Sequence, residues 1–489
     1  MNNLRFIFLL LFFPFCFFHV SAQTDPPLRI ELDCAKDQQD YKSVLLSKHG
    51  VAVFYQTAVI NLDTAQWVFV QYDTNLVKKN LFKIKIPNLC QYFTAHFADN
   101  KLFVFFQKPA FKKDTLKNYL LEWNIRTKDF HLHELHQHKY PYLSSMQVVG
   151  DHLLMIIDDQ KMKSIIYYNY KTHAKKAIQF ADDEIMSVES LVVDTVARKS
   201  YFCMFLKNKK SSRAELFSTD YSGNIITRET FPYSGELVYN SVKITISGKD
   251  SLLIVGGFTN IKENKHQGCY SGIYTLSFVK NRFVDLNTHS FGAFSTKDSE
   301  MNTKYLSESG LTMNEHIKQC NGHIFVITDV FHPEYQYAAS SFRNYGYFGY
   351  DQPTHVFMGY RFLNAYILEF DRQGALLNEW YFPISNVLTQ SPYPLVDLYQ
   401  DTEDNTLMYY VYKNDIVSQY MHGKQVIAAQ SAIPITLLSK ADILEYSSNI
   451  SMQHWNEHYF LLSGYQYIKN AQRGKGKRYV FFLNKLICE

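Results

Sequence analysis

The sequence predicts an all-β fold: a single ring of eight four-stranded units, with seven as the alternative count, closed where the two chain ends pair. Three observations predict it. A polar turn running into an uninterrupted apolar strand recurs along the chain. Aromatic residues make up 16% of the composition, mostly Tyr and Phe, which favour strands. Long helical periodicities are absent, and each chain end carries a strand-like piece without a local partner.

The recurring motif starts its strand at Val51 in "KHGVAVFYQ" and at Leu102 in "ADNKLFVFFQ". It returns at Leu153, Tyr201, Leu252, Ile324, Leu407 and Tyr459. Five of the seven intervals lie between 48 and 52 residues, and the other two are 72 and 83. A period of about 50 residues is the size of a four-stranded β-propeller blade. In the first unit, Tyr41–Ser47 precedes the motif strand Val51–Tyr55, and Trp67–Tyr72 and Leu81–Ile86 follow. An apolar run with no polar alternation suits a strand buried on both faces. Units four and six share an Asp-x-x-Gly turn, Asp220 to Gly223 and Asp371 to Gly374, the chemistry of a hairpin between third and fourth strands.

The last unit is short. After Tyr459 there is room for the motif strand and for "RYVFFLNKLI", Arg478 to Ile487, but not for a fourth strand. At the other end "PLRIELDC", Pro27 to Cys34, belongs to no preceding unit. A ring without an open sheet edge pairs these ends in one blade.

Residues 1–22 read as a secretory signal: Arg5, the apolar core Phe6 to Val20, and the small-residue pattern Val20-Ser21-Ala22. Cleavage near Ala22 leaves a single domain, 23–489, in the periplasm, cell envelope or medium. No later stretch is long and apolar enough to span a bilayer. The formal net charge of +4 at pH 7 is too near neutral to argue for nucleic acid or an anionic membrane surface. Without the signal, six cysteines remain: 34, 90, 203, 269, 320 and 488. They allow 15 pairings. Cys34 and Cys488, both at the seam, are the favoured disulfide, and Cys203, inside a motif strand, reads as a buried free thiol.

By these repeats and the Ala22-Gln23 junction, the chain resembles the β-propeller superfamily, in particular exported propellers of Gram-negative bacteria with kelch-like blade length. The kelch double glycine appears once, as Gly256-Gly257. The Trp-Asp signature of WD repeats is absent.

The two long intervals locate insertions at 259–270, 292–315 and 331–362. In an up-and-down blade, second-to-third loops and blade-to-blade connections share one face of the ring, so all three expansions gather there over blades five and six. The last carries Tyr335, Tyr337, Arg343, Tyr345, Tyr347, Tyr350, Asp351 and His355. Tyrosine pairs a flat apolar face with a hydroxyl, which suits stacking on sugars or packing on a protein. The competing reading of this loop is structural cover over the ring opening.

No nucleophile elbow, phosphate-cradling loop or His-Glu-x-x-His is present. His131, His133 and His136 are weak metal candidates, matching no ordered zinc spacing, against the reading of an exposed polar edge. The expectation is a non-catalytic, monomeric binding propeller without a cofactor, taking a protein or glycan through the loops of blades five and six. The alternative is a hydrolase or lyase acting on an extracellular polysaccharide or glycoconjugate, with its site at the central funnel.

Overall fold

The eight motif strands become the second strands of eight antiparallel sheets. A computed structural model describes residues 28–35, 41–61, 64–88, 90–107, 116–137, 143–159, 162–178, 184–207, 212–232, 236–260, 270–290, 312–338, 354–456, 458–470 and 476–487. Blade one is β2 (Lys42–Leu45), β3 (Val51–Asn61), β4 (Thr64–Tyr72) and β5 (Lys78–Pro87). Blade two is β6 (Gln91–Ala98), β7 (Lys101–Gln107), β8 (Leu116–Asn124) and β9 (Phe130–Gln137). Blade three is β10 (Leu143–Val149), β11 (His152–Asp159), β12 (Met162–Asn169) and β13 (Lys175–Ile178). Blade four is β14 (Glu184–Asp194), β15 (Lys199–Lys207), β16 (Ser212–Asp220) and β17 (Ile225–Thr230).

Blade five has five strands: β18 (Leu237–Tyr239), β19 (Lys243–Gly248), β20 (Ser251–Asn260), β21 (Gly272–Val279) and β22 (Arg282–Ser290). Blade six is β23 (Thr312–Cys320), β24 (His323–Ala338), β25 (Thr354–Phe370) and β26 (Leu376–Thr389). Blade seven is β27 (Asp397–Gln400), β28 (Asn405–Tyr412), β29 (Asp415–His422) and β30 (Gln425–Pro434). Blade eight joins β31 (Asp442–Asn456), β32 (Tyr459–Asn470) and β33 (Lys477–Ile487) to β1 (Leu28–Cys34), in the order β1-β33-β32-β31.

Packing explains why the motif strands are apolar throughout. Successive side chains of a strand point to opposite faces, and here each face meets a neighbouring blade. Val51 and Val53 of β3 join a core shared with blade eight, whereas Ala52 and Phe54 join one shared with blade two. On β7, Leu102, Val104 and Phe106 face blade one while Phe103 and Phe105 face blade three. A core of this kind fills every junction around the ring, including the one between blades eight and one. The fourth strands are largely exposed, as in β5, β17, β22 and β30, which sets them on the outer rim.

The turns behave as their chemistry dictates. Asp220 Oδ1 accepts the N–H groups of Ser222 and Asn224 at 2.9 and 2.8 Å. Asp371 Oδ1 does the same for Gln373 and Ala375 at 2.9 and 2.8 Å. Gly223 and Gly374 take φ of +76° and +87°, a region that favours glycine.

The seam confirms the pairing of the chain ends and corrects the cysteine assignment. β1 runs antiparallel to β33, with Leu28 opposite Lys485 and Cys34 opposite Tyr479. Cys34 therefore sits at the end of β33 away from Ile487. Cys34 is a free thiol, and Cys488 lies outside the described residues. Cys203 is buried and free, as its place in a motif strand predicted.

Two features depart from a regular ring, and both fall in blades five and six. The innermost strand of blade five is split: β18 and β19 both pair with β20, leaving Asn240–Val242 out of the ladder. The insertion at 331–362 is not loop at its ends, because β24 and β25 stay paired from Ile324–Phe370 out to Ala338–Thr354. Of the other two insertions, Thr259–Asn260 belong to β20 and Thr312–Glu315 to β23, while 261–269 and 291–311 lie outside the described residues.

Candidate functional site

The extended hairpin of blade six is an arm. His332 pairs with Arg361, Tyr335 with Phe357 and Tyr337 with His355. The end of β26 flanks its base, with Thr389 opposite Tyr360. Gly359 takes φ +142°, and a Cβ there would stand 2.5 Å from the Thr389 carbonyl oxygen, so this close approach requires glycine. Aromatic rings run along the arm into the core. Tyr335 meets Phe357 at 5.6 Å, Phe357 meets Tyr360 at 5.2 Å, Tyr360 meets Phe331 at 5.6 Å, and Phe331 meets Phe362 at 5.2 Å. Most of these contacts are edge to face, a favourable geometry. The inner end is buried and the outer end is open: Tyr335 is 54% exposed, Val356 47% and Phe357 39%. Glu334 and Arg361 form a two-point ion pair, with Arg361 Nη2 donating to Glu334 Oε1 at 2.9 Å. That contact holds the Glu334 carboxyl below its usual range.

Of the residues singled out in the sequence, the structure brings Tyr335, Tyr337 and His355 onto this ribbon. Arg343, Tyr345, Tyr347, Tyr350 and Asp351 lie outside the described residues. The arm also recruits Phe357 and the Glu334–Arg361 pair, which the tyrosine pattern of the sequence does not reveal.

The inner strands of blades five to seven hold a second polar group at the ring centre. The gap in the split strand turns Ser241 inward. Its Oγ accepts the Gly257 N–H at 2.8 Å and donates to Glu315 Oε1 at 2.9 Å, and Tyr274 donates to the Ser241 carbonyl at 3.0 Å. The double glycine makes room for this turn. A Cβ on Gly256 would lie 1.9 Å from the Ser241 oxygen, and one on Gly257 2.2 Å from the Tyr270 ring. Burial pushes the Glu315 carboxyl up, opposed by the Ser241 bond and by Lys243. Next to it His316 points toward blade seven, and burial lowers its imidazole to about 4 against the opposing pull of Asp397. His316 Nδ1 has no hydrogen-bond partner among the described residues. Lys318 Nζ donates to both oxygens of Asp397 at 2.7 Å. Glu315 and His316 thus lie on opposite faces of β23, the carboxyl in the junction with blade five and the imidazole in the junction with blade seven. Glu315 closed the predicted insertion without being singled out, because only the fold shows that it is buried.

All three histidine candidates lie on β9, and the rings of His131 and His133 stand 6.4 Å apart on one strand face. His133 Nε2 lies 3.0 Å from Glu122 Oε2, and Lys101 takes the other oxygen of Glu122 at 2.6 Å. Among the described residues no group of His, Cys, Asp and Glu is arranged to hold a metal ion.

In comparisons with solved structures, the chain is similar to the polysaccharide lyase Uly1, at 9% identity and a TM-score of 0.42 over 94% of this chain and 99% of that one. It is also similar to the β-propeller domain of the Trilobed protease from Pyrococcus furiosus, at 9% identity and a TM-score of 0.38 over 82% and 96%. The Dos1 propeller is another, at 9% identity and a TM-score of 0.40 over 79% and 89%. No protein-family model matches the sequence, and no curated protein matches it.

Proposed function

We propose that the chain is an exported, non-catalytic binding propeller that captures a protein or glycan ligand with the blade-six arm. The observation that carries this reading is the aromatic row from Phe362 to Tyr335, buried at its base and more than a third exposed at Phe357 and Tyr335. Rings fixed by their neighbours lose little conformational freedom on binding, which favours a surface of this type as an anchor. The leader-like segment at residues 1–22 supports export. The test replaces Tyr335 and Phe357 together by Ser and measures retention of the purified chain on a glycan panel and on an envelope-protein extract, with thermal unfolding as a control. The expected result is unchanged unfolding with at least a tenfold loss of retention, about 1.4 kcal/mol or more. Retention equal to wild type overturns the assignment.

A second reading, a hydrolase or lyase acting at the ring centre, is favoured by one observation: buried His316 on the inner strand β23 is held neutral with its Nδ1 unpartnered among the described residues. It predicts turnover on polysaccharide substrates that is lost in His316→Gln. Absence of turnover on a broad panel removes it.

A further inference from the structure

On the face opposite the arm, where first strands turn into second strands and third into fourth, a cavity of about 340 Å³ opens between blades five and six. Its walls include Gly248, Gln319, Asn321, Gly322, His323 and Arg372, and no Asp or Glu lines it among the described residues. Arg372 sits on the β25–β26 turn and has no ion pair or hydrogen bond among the described residues. Its guanidinium lies over Gly322, and a Cβ there would be 3.1, 3.3 and 3.5 Å from Nη2, Nε and Cζ. Gly322 takes φ +86°. The glycine at this turn thus serves the backbone and leaves a seat for the arginine. The carboxylates nearby are committed elsewhere: Asp371 caps its own turn, and buried Glu369 accepts Asn378 Nδ2 at 2.6 Å and pairs with His323 Nδ1. With Nδ1 donating to the Glu369 carboxylate, Nε2 faces a bound anion as a donor only when the ring is an imidazolium, so the guanidinium of Arg372 is the principal donor. Gln319 is anchored too, its Nε2 donating to Thr245 Oγ1 at 2.7 Å.

We propose that this cavity is a subsite for an oxyanion, a carboxylate, sulfate or phosphate group, clamped by Arg372 with His323 beside it. An unpaired guanidinium in a concave, acid-free wall matches the planar two-point geometry of such groups. The site shares no residue with the arm and stands independently of the reading above.

The experiment titrates the full chain with sulfate, phosphate and glucuronate, and with glucose as the neutral control, by calorimetry at low ionic strength. Saturable binding of at least one oxyanion is expected, weakened at least tenfold in Arg372→Ala and less in Arg372→Lys, which keeps the charge but loses the fork. Arg126→Ala, which removes an exposed positive charge in blade two, should bind as wild type. Circular dichroism verifies the fold of each variant. Glucuronate binding much more tightly than sulfate identifies an acidic sugar as the source; equal affinities identify the free ion. Arg372→Ala binding like wild type, or no saturable binding by any of the three oxyanions, overturns the proposal.

Discussion

Ring closure depends on a buried charge network that one isosteric change should break. Glu31 lies between two arginines: Arg29 Nη2 is 2.8 Å from Oε1, and Arg478 Nη1 is 2.7 Å from Oε2. Arg478 also reaches Asp442 at 2.9 Å. Arg29 donates to Gln466 Oε1 at 2.6 Å and to the Thr436 carbonyl at 3.1 Å, and stacks 4.3 Å from the Phe482 ring centre. The side chains of Arg29, Glu31 and Asp442 are 0%, 3% and 0% exposed. In wild type two positive charges meet two negative ones. Glu31→Gln keeps the shape and leaves the buried Arg29 guanidinium and the partly buried Arg478 against Asp442 alone, a loss on the order of 3–5 kcal/mol. Because β1 supplies the outer strand of the last blade, the loss should appear first as release of that strand. Urea unfolding followed by circular dichroism should show a lower midpoint, and hydrogen exchange should speed up in β33 before other blades. Glu445→Gln, which breaks the exposed Lys477–Glu445 contact in the same blade, should leave both readouts unchanged. A cost below about 1 kcal/mol for Glu31→Gln, within the range of exposed ion pairs, or unchanged exchange in β33, refutes the idea that this network locks the ring.

Asp329 is buried and accepts the N–H groups of Leu395 and Val396 at 2.6 and 3.3 Å, and burial raises its carboxyl to about 7. A raised folded-state value means that its contribution is full below about pH 4 and declines toward pH 7, by up to about 1.4 kcal/mol per pH unit; the stability of wild type relative to Asp329→Asn should therefore fall between pH 5 and 7, and a constant difference would contradict this. Gly256→Ala drives a Cβ to 1.9 Å from the Ser241 oxygen, so it should lower the melting temperature and raise proteolysis within blade five, whereas Gly423→Ala, with open space around it but φ of +51°, should cost only the smaller backbone strain of a left-handed alanine, about 1 kcal/mol. With Cys34 free at the seam, a reductant should leave the unfolding midpoint of the intact chain unchanged, and a native thiol assay should label Cys34 well before Cys203; a reductant-sensitive midpoint would restore a disulfide at the ring closure.

The scaffold was readable because its main cause is local. A strand that fills two cores must be apolar at every position, so Leu102 to Phe106 announces its place without knowledge of its neighbours. The Asp220 and Asp371 turns were readable for the same reason, since each aspartate bonds its own backbone. The seam shows where that legibility ends. The missing fourth strand of the last unit and the spare strand at Pro27 to Cys34 predicted that the ends would pair, but only antiparallel register decides that Cys34 faces Tyr479. Glu315 and Ser241 become a pair through the break between β18 and β19, which no periodicity reveals. One usable signal was overlooked: Asp329 interrupts the apolar run from Ile324 to Phe331, and an acid inside a strand buried on both faces must have a defined partner.

These departures are not scattered. The split inner strand, the double glycine, the buried Glu315, the arm and the oxyanion cavity all lie in or between blades five and six, where the repeat spacing lengthens. A regular blade gains from apolar packing on both faces and has no need of a forced glycine, and the glutamate side chains buried in other blades, Glu31, Glu122 and Glu215, each pair with an arginine or a lysine. Burying Glu315 beside Ser241 forfeits hydration that one hydroxyl and a backbone contact only partly replace. The steric demands at Gly256 and Gly257 remove two side chains from a strand that elsewhere packs continuously. A closed ring tolerates such a local loss because the remaining junctions hold both neighbours in place, so one wedge is free to carry polar and exposed groups that stability alone would select against. That physical asymmetry directs functional experiments to this wedge before the other blades.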